Sequence, residues 1–182
     1  SDGFQGTNPG VTEKSPALYR LPWAQLFIRV VSTPAIGAAM DGLALYQQLV
    51  TGKASGDITK LAGDLATQTR VAHASNAIAE MRAVMFGNFD AMLTSLDAGE
   101  DISLESRILY RYQASLVIDK CIALVDELFA SAGGSSVFVG SEIQQRFLDI
   151  HTARAHVANN PTSFARNLGA VALGAENKDF FV

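Results

Sequence analysis

Residues 103–132 carry apolar side chains on two neighbouring seams, and this pattern constrains the fold more than any other feature. The apolar positions recur at steps of three and four, which is the spacing of residues that share a face of an α-helix. A helix that is apolar around so much of its circumference belongs at the centre of a bundle or between subunits. The first seam is Tyr110, Ala114, Val117, Cys121, Leu124 and Leu128, and the second is Ile118, Ile122, Val125 and Phe129.

Further helices are predicted on both sides of this segment. Residues 22–50, 64–96 and 141–159 are expected to complete a four-helix set, and Pro161 is expected to begin a last amphipathic helix that ends at Leu173. Pro34 predicts a kink, or a break with a restart at Ser32 or Thr33. Ser103 is the expected N-cap of the central helix, where it faces Ser106.

The predicted architecture is all-α, an up-and-down four-helix bundle with an extra C-terminal helix. No stretch alternates over a length that suits a sheet, and residues 136–139 are predicted to be a loop. Residues 21–182 form the predicted bundle domain. Residues 1–20 are rich in glycine and proline and are predicted to be an extended arm.

Composition disfavours some classes of function. The formal net charge is -4 and no basic stripe is present, which argues against a nucleic-acid partner. No run approaches the ~18 uninterrupted apolar residues of a membrane span, and the first residues lack the features of a signal peptide. The single cysteine, Cys121, is expected to be a buried, inert thiol, which suits a reducing cytoplasm.

The three histidines do not suggest a metal site. His151 and His156 are five residues apart and would diverge by about 140° on a helix. On the predicted helix, Asp149, Thr152 and His156 would line one face. His156 is then either a proton-handling residue held by a carboxylate, or a cap at the helix end.

A glycine-serine run follows the central helix. Gly133, Gly134, Ser135 and Ser136 could present backbone amides to a phosphate, as glycine-rich turns do. The alternative is a helix C-cap followed by a flexible connector.

Several short stretches follow one another along the chain: SPALYRLPW at 15–23, TPAIGAA at 33–39, AGGSS at 132–136, DIHTARAH at 149–156, VANNP at 157–161, and LG at 168–169 and 173–174. Together they resemble the C-terminal domain of flavin-dependent monooxygenases with the acyl-CoA dehydrogenase fold. These enzymes are the oxygenase components of two-component hydroxylases that act on phenols. The resemblance extends from Ser15 to nearly the end, and residues 1–7 look like the tail of a preceding β-domain.

The resemblance implies a homotetramer built around such bundles, with two further domains ahead of this one. It implies that a separate reductase delivers reduced flavin, FMNH2 or FADH2, which reacts with oxygen to give a C4a-hydroperoxide that hydroxylates a phenolic substrate at the ortho position. His156 matches the active-site histidine, which hydrogen-bonds the hydroperoxide or takes the phenol proton. Gly133, Gly134, Ser135 and Ser136 would approach the flavin phosphates of a neighbouring subunit, and Asn159 would lie close to the flavin. Where relatives often carry arginines, this chain has Gln145 and Leu148.

Two other functions compete with this interpretation. Within the same fold, the chain could be the C-terminal domain of an acyl-CoA dehydrogenase or oxidase. From another class, it could be a structural oligomerisation module without catalysis. The sequence at 156–161, HVANNP, favours the monooxygenase over the dehydrogenase.

Overall fold

The computed structural model describes residues 10–12, 14–52 and 58–182, and the side chains from residue 61 onward in the last range. Within these ranges the chain is helical and carries no strand, which confirms the all-α prediction. The first nine residues of the predicted arm lie outside the described residues, as do residues 53–57 between the predicted first and second helices. The α-helices are α1 Ala17–Arg20, α2 Trp23–Gly52, α3 Ile58–Gly63, α4 Leu65–Asp97, α5 Leu104–Ser131, α6 Glu142–Ala153 and α7 Pro161–Ala172. Two 3-10 helices, Gly134–Val137 and Val157–Asn159, flank α6.

The predicted boundaries of α4, α5 and α7 hold to within about two residues, because local caps set them. The backbone N–H of Thr67 donates to the Asp64 carboxylate at 2.8 Å at the start of α4. Ser103 Oγ accepts from Ser106 N at 3.1 Å before α5, as expected. Residues 136–139 form no strand: Ser136 and Val137 end the first 3-10 helix, and residues 138 and 139 lie in the turn that follows.

Pro34 does not break α2, so the prediction of a restart at Ser32 or Thr33 is wrong. A proline removes one helical N–H, and the carbonyl that loses its partner belongs to the residue four positions earlier. That residue is Val30, which is 70% exposed, so water can satisfy its carbonyl. The helix continues through Pro34 without a break.

The predicted helix at 141–159 is wrong in its last turns. Helix α6 ends at Ala153, and a turn in which Ala155 N donates to Thr152 O separates it from the second 3-10 helix. His156 lies after that turn, so it shares no helix face with Asp149 and Thr152. The Asp149 carboxylate instead accepts from Gln145 Nε2 at 2.7 Å and pairs with Arg146.

The chain divides into two compact units, each built from parts of α2, α4 and α5. The first contains residues 1–32, 83–116 and 156–182. One of its core clusters consists of Ala17, Leu21, Met92, Leu96 and Ile102, and another contains Ile28, Ala114 and Ala158. Burial of each large apolar side chain contributes roughly 1.5–3 kcal/mol.

The second unit contains residues 33–82 and 117–155. Ion pairs of Arg146 with Asp41 and of Arg154 with Asp119 hold α6 and its C-cap to their neighbours here. His151 Nε2 lies 2.7 Å from Asp126 Oδ1, within hydrogen-bond distance. The α5 seam residues from Val117 to Leu128 are at least partly buried, and Ile118, Cys121, Val125 and Leu128 are fully buried. Both seams are therefore covered within the chain, so the central position in a bundle explains them without a second copy.

Helix α2 is long and apolar enough to cross a membrane by length and composition alone. Core helices of globular proteins pass the same test, and 44% of the apolar window of α2 is buried inside the structure.

Candidate active site

His156 lies at the N-terminus of the second 3-10 helix, where its ring acts as the cap. Its Nδ1 accepts a hydrogen bond from the backbone N–H of Ala158 at 3.1 Å. A backbone N–H can only donate, so the ring nitrogen that it meets carries no proton. The neutral ring therefore has its proton on Nε2, and this exposed imidazole is a hydrogen-bond donor at that atom.

A row of aromatic rings begins beside His156. The Phe27 ring lies 6.2 Å from the His156 ring, tilted by 58°. Trp23 stacks on Phe27 at 4.8 Å, and Phe181 stacks on Phe27 at 6.2 Å. All of these residues belong to the first unit. Flat apolar faces beside a polar donor suit an aromatic ligand that carries a polar substituent.

Asn159 shares the 3-10 helix with His156. Its backbone N–H donates to His156 O at 2.9 Å, and its side chain is fully buried. The structure thus brings these two predicted site residues together. Asn159 supports the turn that presents His156.

The predicted glycine-serine run lies in the second unit. Gly133 has φ 83° and ψ 177°, a conformation that is essentially restricted to glycine. Ser136 is buried, and its hydroxyl donates to Gly133 O, which closes the turn. Gly134 and Ser135 are exposed, so a ligand can reach the turn at these two residues.

Arg29 is a candidate that the sequence analysis missed. It is 6% exposed, and burial lowers the pKa of its guanidinium to about 10. Its Nη2 donates to the Asn88 amide oxygen at 2.9 Å when that amide is oriented to accept, while Nη1 has no hydrogen-bond partner in the described part of the chain. The available signal was a lone charge inside the apolar run LFIRVV at 26–31. An anionic group suits the remaining donor.

No metal site emerges from the described ranges: they contain no group of three or more His, Cys, Asp or Glu residues that could hold an ion.

Comparison with known families decides how this arrangement is classified. Residues 29–161 match the family model described as acyl-CoA dehydrogenase, C-terminal domain. The chain belongs to this family. The match contains the AGGSS run, α6 and His156, and it ends at the first residue of α7.

The proteins that this chain resembles in sequence and structure include flavin-dependent oxygenases. The chain is 28% identical over 160 residues to the flavin-dependent monooxygenase oxygenase subunit HsaA of Rhodococcus jostii (strain RHA1), covering 85% of this chain and 41% of that protein. A 72-residue stretch is 33% identical to the oxygenase component of p-hydroxyphenylacetate 3-hydroxylase from Acinetobacter baumannii, covering 40% of this chain and 17% of that protein. The crystal structure of the HsaA monooxygenase from M. tuberculosis superposes with a TM-score of 0.88 at 25% identity, covering all of this chain and 46% of that one. The chain thus spans less than half the length of these relatives.

Proposed function

We propose that this chain is the C-terminal domain of the oxygenase component of a two-component, flavin-dependent aromatic hydroxylase. In this proposal it completes the flavin site and the substrate site of a larger subunit. The relatives named above support the enzyme class. The observation that carries the proposal is the position of His156, whose donor-bearing ring lies at the end of the row formed by Trp23, Phe27 and Phe181.

The hydrogen bond from Ala158 favours one of the two roles considered for His156. The Nδ1 lone pair is engaged, so the neutral ring offers a proton donor at Nε2 and no free lone pair. A donor at a fixed position stabilises negative charge as it develops on an oxygen atom. We therefore assign His156 to hydrogen-bond donation toward the reacting oxygen rather than to removal of the phenol proton.

The residues present fit a reduced flavin. When bound, the flavin supplies, with dioxygen, the activated oxygen atom that is transferred to the ring. The backbone amides of Gly133, Gly134, Ser135 and Ser136 would hold the phosphate of a neighbouring subunit's flavin. Asn159 would lie close to the flavin that is bound next to His156. The unpaired Nη1 of buried Arg29 suits a negatively charged group, as reduced flavins and phosphates are.

The remaining parts of the proposal concern partners. The proposed substrate is a phenol that is hydroxylated at the ortho position, as the resemblance to the phenol hydroxylases implies. The aromatic rings and the hydrogen-bond donor at His156 suit a phenolic ring. A separate reductase supplies FMNH2 or FADH2. The subunits assemble as a homotetramer in the cytoplasm.

Two assays on the full-length protein distinguish this function from its rival within the fold. The proposed hydroxylase, mixed anaerobically with reduced FMN or FAD and then with oxygen, converts p-hydroxyphenylacetate or another simple phenol to a catechol. An acyl-CoA dehydrogenase would instead bleach its oxidised flavin when an acyl-CoA is added without oxygen. Acyl-CoA-dependent bleaching without catechol formation would overturn the proposal.

A further inference from the structure

Residues 175–182 follow α7 without helical structure and are held by side-chain hydrogen bonds. Asn167 Oδ1 accepts from Lys178 N at 2.9 Å, and Asn177 Oδ1 accepts from Asp179 N at 3.1 Å. Asp179 Oδ1 in turn accepts from Phe181 N at 2.9 Å. The place of Phe181 therefore depends directly on the Asp179 carboxylate.

The other oxygen of Asp179 pairs with a buried arginine of α5. Arg111 Nε lies 3.1 Å from Asp179 Oδ2, and the two side chains are only 5% and 10% exposed. Burial lowers the pKa of Arg111, and the Asp179 charge opposes that effect. Removal of the carboxylate charge would leave the guanidinium buried without its counter-ion, which is a costly arrangement.

The Arg111 guanidinium also contacts two aromatic faces. Its central carbon lies 4.0 Å from the centroid of Phe164 and 5.0 Å from that of Phe181. A planar cation that lies over the faces of two rings restrains the position of each. Arg111 thus holds Phe181 both through Asp179 and through direct contact with its ring.

Phe181 is the ring that closes the aromatic row beside His156. It stacks at 6.4 Å on Trp23 and at 6.2 Å on Phe27, and Phe27 contacts the His156 ring. A chain of contacts within the first unit therefore leads from Asp179 through Phe181 and Phe27 to His156.

We propose that Arg111 and Asp179 are positioning residues that fix Phe181 as one wall of the aromatic-ring site next to His156. The pair would thereby determine how tightly a phenolic ring is held. We call the hold of Arg111 and Asp179 on Phe181 the clamp. The clamp depends only on the contacts above, while the identity of the substrate rests on the proposed function. The contacts that link the pair to His156 run through Phe181 and Phe27, so the two residues act through Phe181.

Trp23 provides a direct probe of the clamp, because it is the only tryptophan of the chain. We expect Asp179→Asn and Phe181→Leu to raise the acrylamide quenching constant of Trp23 fluorescence in this 182-residue chain. Glu176→Gln is the matched control, since it removes an exposed carboxylate from the same segment. Quenching that is equal in Asp179→Asn and in the control would overturn the clamp.

The same variants in the full-length enzyme test the effect on the substrate. Loss of an aligned aromatic wall is expected to raise KM for p-hydroxyphenylacetate about fivefold, with a smaller change in kcat. Phe181→Leu keeps an apolar side chain and should show this effect even if Asp179→Asn folds poorly. An unchanged KM in Phe181→Leu would overturn the inference. If the unsubstituted enzyme formed no catechol, the proposed function would be contradicted. The quenching data would still test whether Arg111 and Asp179 hold Phe181 in place.

Discussion

The Cys121 thiol lies 3.7 Å from the sulfur of Met81, with both side chains buried in the second unit. We predict that DTNB labels Cys121 in the native chain far more slowly than in urea, because the reagent needs an exposed thiolate. The time course of absorbance at low and high urea measures this. Equally fast labelling in both would show that Cys121 is accessible, contrary to the structure.

The same thiol predicts a loss of stability at alkaline pH. Burial raises the pKa of Cys121 from its ordinary value near 9 to about 12. Between these values the unfolded chain loses this proton while the folded chain keeps it. The contribution of the protonated thiol to the free energy of unfolding is therefore fully present below pH 9. It falls as pH rises above 9, by at most about 1.4 kcal/mol per pH unit. Urea unfolding of the unsubstituted chain and of Cys121→Ala from pH 8 to 10.5 isolates this contribution. If the free energy of unfolding changed with pH equally in both, the prediction would be contradicted.

Burial of the α5 seams predicts the effect of truncating a seam leucine. Leu128 is fully buried, so Leu128→Ala should lower the free energy of unfolding by about 3 kcal/mol. Leu148 is 48% exposed in the same unit, and Leu148→Ala is the control with little expected change. Urea denaturation at two protein concentrations measures both variants. If Leu128→Ala changed only how the free energy of unfolding depends on protein concentration, Leu128 would belong to an interface between copies, contrary to this prediction.

The caps and the apolar periodicity made most helices predictable from sequence, because both depend on residues within one or two turns. Helix starts are marked by Asp64, Ser103 and Pro161. The three- and four-residue spacing of the α5 seams predicts that the seam side chains are buried. The end of α6 was not predictable in this way. No glycine or proline marks it, and the following turn is capped by the His156 ring, a contact that depends on the folded backbone.

The candidate site was only partly predictable for a related reason. The resemblance pointed to His156 itself, but its aromatic neighbours lie far away in the sequence, at Phe27 and Phe181. The pairing of Arg111 with Asp179 joins residues 68 positions apart and leaves no periodic signal. Such contacts follow from tertiary packing, which overrides local pattern.

The glycine-serine turn offers a matched pair of substitutions. Gly133 adopts a conformation that other residues avoid, so Gly133→Ala should cost about 1–3 kcal/mol of stability. A Cβ added at Gly134 would meet no atom within 4 Å and Gly134 lacks a positive φ, so Gly134→Ala is the control. Thermal unfolding of both variants compares them. Equal melting temperatures would contradict the conformational argument, and flavin titration of the full-length variants would test the turn's proposed phosphate contact.

The proposed hydrogen bond from His156 to the reacting oxygen can be checked through the fraction of consumed oxygen that appears as hydroxylated product. His156→Ala in the full-length enzyme should lower that fraction by about 100-fold or more and release the remainder as hydrogen peroxide. His151→Gln is the matched control, because it changes an imidazole that pairs with Asp126 in the other unit. Full coupling in His156→Ala, or an equal loss in both variants, would contradict the assignment.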